Sequence, residues 1–89
     1  MNRLPEDVQR ELERVVRRWR ELPVDHALAA SRDVRELVQN LANATAGESV
    51  PDLGPAVLID QLRVLVWDAA SAGVPDLADS LADLRRALP

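Results

Sequence analysis

The 89-residue chain has no cysteine, tyrosine or phenylalanine. Without cysteine there is no disulfide framework, no thiol nucleophile and no thiolate metal site. Trp19 and Trp67 are the only aromatic residues, so a core has to come from Leu, Val and Ala. Such small side chains let helix axes approach closely, which favours a bundle over a large preformed cavity. Lysine is absent too, and all 11 basic residues are arginine, a usage in keeping with a GC-rich bacterial genome. No stretch reaches about 18 uncharged apolar residues, and the charged start, 1–8, has no signal-type apolar run. The expectation is therefore a bacterial cytoplasmic protein with no membrane association.

What is present is acidic and apolar in unequal shares. Fifteen acidic residues against 11 basic ones give a net charge of −4, which disfavours a general role on nucleic acid or an anionic membrane. A hydrophobic fraction of 47% can build one core, and the length implies a single domain over residues 1–89. A domain of that size should be stable by about 4–13 kcal/mol.

Four segments carry apolar residues at helical spacing. In the first, 5–22, Leu4, Val8, Leu12, Val15, Trp19 and Leu22 step by four and three into one seam. The second, 24–45, repeats Ala27, Ala30, Val34, Leu37, Leu41 and Ala44, with Val38 widening the stripe. The fourth, 75–88, aligns Leu77, Leu81, Leu84 and Leu88 behind Val74. Pro5, Pro23, Pro55 and Pro75 are placed to open the helices at their first position, where a missing N–H costs nothing. Gly47 and Gly73 are placed to end them, because glycine takes the left-handed conformation cheaply.

The third segment, 55–72, is apolar nearly all round. Leu58, Ile59, Leu62, Leu65, Val66 and Ala69 make its core face. Val57, Val64 and Trp67 form a second stripe, spaced by seven and three, beside Asp60 and Ser71. A helix apolar on two faces should be covered on two faces. Short links at 22–23 and 73–74 predict that the first and second helices, and the third and fourth, form adjacent hairpins. The longer linker 46–54, with Pro51 and two glycines, is the segment expected to move, unless Val50 and Leu53 pin it. Together these readings predict an all-α fold, a small antiparallel four-helix bundle.

Catalytic constellations are sparse. His26 is the only histidine, and histidine phosphotransfer domains are also acidic helical bundles. Those domains follow the histidine with a basic and a small residue, whereas Ala27, Leu28 and Ala29 follow here, so His26 reads as a stripe-edge residue. Asp79-Ser80-Leu81 is similar to the three residues around the phosphopantetheine serine of acyl carrier proteins. That family places its serine at the start of the second helix, while Ser80 falls within the last one, so no cofactor is expected. No Glu has a His three residues later, which removes a di-iron bundle. Asp76, Asp79 and Asp83 share a face opposite the Leu seam and read as a solvated acidic surface rather than a metal site. The Trp-x-Gly turn of type VII secretion substrates is missing, since Arg20 and Glu21 follow Trp19. No nucleophile and base can be paired, so the chain is not expected to be an enzyme.

Two surfaces remain as candidates for function. Val57, Val64 and Trp67 are the expected protein interface, because Trp is favoured at interaction hot spots. They fit a non-catalytic interaction module that binds a second copy of itself, as a homodimer, or another helical protein, with no small-molecule ligand. Arg10, Arg14 and Arg17 share a face of the first helix and are the candidate anion-contacting surface of an alternative, a small nucleic-acid-associated regulator. Local pairs of Glu6 with Arg10, and of Glu13 or Glu21 with Arg17, are expected to neutralise much of that face.

Overall fold

A computed structural model describes residues 3–45, 47 and 49–89. Met1, Asn2, Ala46 and Glu48 lie outside the described residues, and with them part of the chain start and of the linker expected to move. Four helices form, α1 Glu6–Glu21, α2 Val24–Thr45, α3 Pro55–Ser71 and α4 Leu77–Ala87, with no strand among the described residues.

The helix ends follow backbone chemistry closely. Pro55 does occupy the first turn of α3, but Pro5 and Pro23 stand one residue outside their helices. Their carbonyls accept the first helical bonds, from Gln9 and Ala27, both at 2.9 Å. Pro75 stands further out, because Asp76 caps α4 in the left-handed conformation with φ 63°. At the end of α3, the Gly73 amide donates to the Ala70 carbonyl (3.1 Å) and the Val74 amide to the Ala69 carbonyl (2.9 Å). This is the Schellman pattern, with Gly73 at φ 75° in the position only glycine fills without strain. Gly47, at φ 69°, likewise closes α2 by donating to the Ala42 carbonyl at 2.8 Å.

The seams on α1, α3 and α4 are buried as their periodicity requires. Val15, Val34, Val38, Leu62, Val66 and Ala69 are sealed from solvent, and Leu81 nearly so. Helix adjacency differs from the expectation. The closest-packed pairs are α2 with α3 and α1 with α4, while α1 and α2, joined by two residues, scarcely touch. Leu22 is extended (ψ 136°), and Pro23 follows it, so the chain leaves α1 at an angle that a compact hairpin would not allow. Burial on α2 shifts accordingly. Val38 is buried as expected, Ser31 and Ala42 are buried beside it, and Ala44, expected in the seam, is exposed, because α3 rather than α1 covers this helix. The Ser31 hydroxyl satisfies itself by donating to the Ala27 carbonyl at 2.8 Å.

α1 and α4 run in the same sense. Pro5, Asp7 and Val8 share a cleft with residues 76–79 at one end, and Arg14, Arg17 and Arg18 share another with Arg85 and Leu88 at the opposite end. α3 opposes them, with Arg63 beside Arg17 and Arg20, and Ala70 beside Pro5. α1 and α4 are therefore parallel, where an antiparallel up-down bundle would oppose them. In a parallel pair the macrodipoles add. Glu6, Asp7 and Asp79 in the first turns, and Arg18, Arg20, Arg85 and Arg86 in the last, oppose that accumulation. Between the two helices, Arg85 Nε donates to Glu11 Oε2 at 3.0 Å, and Arg14 donates to the other oxygen at 3.0 Å.

Residues 50–52 of the linker are tied back onto α2 and α3. The Val50 amide donates to Gln39 Oε1 (3.0 Å), Arg35 pairs with Asp52 (3.0 Å), and Gln61 donates to the Pro51 carbonyl (3.1 Å). Val50 packs against the core, whereas Leu53 remains exposed.

Two outcomes test this arrangement. A methyl group at Gly73 would meet nothing within 4 Å, so Gly73→Ala should cost only the strained backbone, about 1 kcal/mol. Thermal unfolding followed by circular dichroism should show a Tm lower by roughly 4–8 °C. The Arg85 hydrogen bond, reinforced by the charges of Arg85 and Arg14, holds the Glu11 carboxyl below its ordinary value of 4.5. Stability from that depression is complete above the unfolded value and disappears as pH falls through the folded one. Glu11→Gln should therefore lower Tm at neutral pH, and the gap to wild type should close in acid, below the ordinary carboxylate range.

Candidate protein-contact groove

α1 and α3 diverge along part of their length and leave a groove of about 410 Å³. Its floor is apolar, made by Leu4, Leu12 and Val16, all buried against the core. Trp67 and Arg63 form the α3 wall, and Gln9 and Glu13 the α1 wall. Sharing Glu13, Val16 and Arg63, the groove continues into a further 360 Å³ that reaches Arg17, Arg20 and Glu21 at the end of α1. Its shape follows from the packing: α1 packs closely against α4 and only sparsely against α3.

The second stripe of α3 is open to solvent rather than roofed. Trp67 is 42% exposed and Val64 57% exposed, while Val57 is half-buried. At about 100° per residue, Trp67 lies some 60° round the helix from Val64, which turns the indole toward α1 and leaves the valine outermost. The three residues thus do not form one uniform strip. Trp67 belongs to the groove, Val64 to the outer face, and Val57 to the partly covered end. Trp19, by contrast, is buried in the core, so the two tryptophans have opposite roles.

Reading the sequence by stripes missed Val24 and Leu28, which are 79% and 57% exposed on the first turns of α2. They stand four residues apart, off the Ala27, Ala30 and Val34 seam, and that spacing was the signal available. Arg63 was missed as well, since a single arginine on a mostly apolar helix has no periodicity to mark it.

The arginine face is only partly assembled. Arg10, Arg14 and Arg17 are all exposed. Arg14 and Arg17 line a cleft of about 380 Å³ with Arg18, Arg85, Glu21 and Leu88, between the C-terminal ends of α1 and α4, but Arg10 stands apart from it. None of the expected pairs, Glu6 with Arg10 or Arg17 with Glu13 or Glu21, occurs among the ion pairs of the described residues. Glu13 instead accepts from Gln9 Nε2 at 3.2 Å. Exposed i,i+4 pairs contribute only about 0.3–0.5 kcal/mol, little against the rotamer freedom they remove. Arg14 is held by Glu11, whereas Arg17 and Arg18 take no part in the ion pairs of the described residues, although Glu21 lines the same cleft.

His26 is exposed near the start of α2, and Ser80 is half-buried within α4. Asp76 and Asp79 line the same cleft as Asp7, whereas Asp83 pairs with Arg86 at 3.0 Å. No group of three or more His, Asp or Glu side chains is placed to hold a metal ion among the described residues. Likewise, no helix is long and apolar enough to cross a membrane among those residues.

Compared with protein-family models, curated proteins and solved structures, the chain matches none.

Proposed function

We propose that this chain is a non-catalytic protein-interaction module that associates with a second copy of itself through α3, with Trp67 at the centre of the contact and Val64 and Val57 beside it. One observation carries the reading: an indole 42% exposed stands on the wall of a groove whose floor is Leu and Val. Covering the rest of that side chain would remove about 100 Å² of apolar surface from water, worth roughly 2–3 kcal/mol. That is the scale of an interaction hot spot, and a soluble domain rarely leaves it unused. Composition supports a bacterial cytoplasmic setting for this association.

Sedimentation velocity over a micromolar concentration series should show a mass rising from 9.8 kDa toward twice that value. Trp67→Ala should weaken the association at least tenfold, the equivalent of about 1.4 kcal/mol. A wild-type protein that stays monomeric throughout would refute self-association.

A second reading, a small nucleic-acid-associated regulator, has one observation in its favour: Arg17 and Arg18, beside Arg14 and Arg85, take no part in the ion pairs of the described residues. Against it stand the net charge of −4 and the absence of any aromatic residue in that cleft to stack on bases. If it holds, duplex DNA binds at low salt and is released steeply as salt rises. Absence of binding at low salt rules it out.

A further inference from the structure

We draw no further inference here: the strongest candidate, the exposed apolar face of Val24 and Leu28 on the first turns of α2, carries nothing because nothing in the structure shows what covers it.

Discussion

The packing of α1 against α4 is the constraint on which the rest of the molecule depends. These helices are separated by most of the chain, yet they form one of its two closest-packed pairs and contribute much of the buried apolar core. With α1 packed closely against α4, α3 meets α1 only sparsely and packs chiefly against α2. The groove is a consequence of that division. It opens where α3 packs only sparsely against α1.

Parallel alignment of that pair sets an electrostatic condition as well. Two helix dipoles pointing the same way concentrate positive potential at one end and negative potential at the other. The chain answers with carboxylates in the first turns of α1 and α4 and arginines in the last. This gives the arginine cleft a structural reason to exist: its charges lie where two helix C-termini need them. Glu11 joins the same system from the middle of the pair, since its carboxylate accepts from Arg85 across the interface and from Arg14 along its own helix. The arginines of α1 are thus first a part of the fold. An anion entering the cleft would compete with the helix ends its arginines already serve.

The apolar surplus has no comparable explanation inside one copy. Val64 and Trp67 on α3, and Val24 and Leu28 on α2, are all exposed beyond what the core requires. Scattered single apolar residues are ordinary on protein surfaces, and none of these alone would call for comment. Trp67 alone among them lines the groove with its Leu and Val floor. The two tryptophans thus divide labour, with Trp19 closing the core and Trp67 left at the rim.

Periodicity by itself determined the four helices, nearly all of their buried positions and the glycine that closes α3, because these depend on local spacing and backbone chemistry. It also marked Val64 and Trp67 as surplus to the core. Only the tertiary structure decided which helix each seam would meet. Apolar stripes are interchangeable as partners, and a two-residue link constrains distance without constraining angle. For the same reason the groove, with Arg63 on its wall, was not legible: it depends on how closely α3 packs against α1, and no residue spacing encodes that packing.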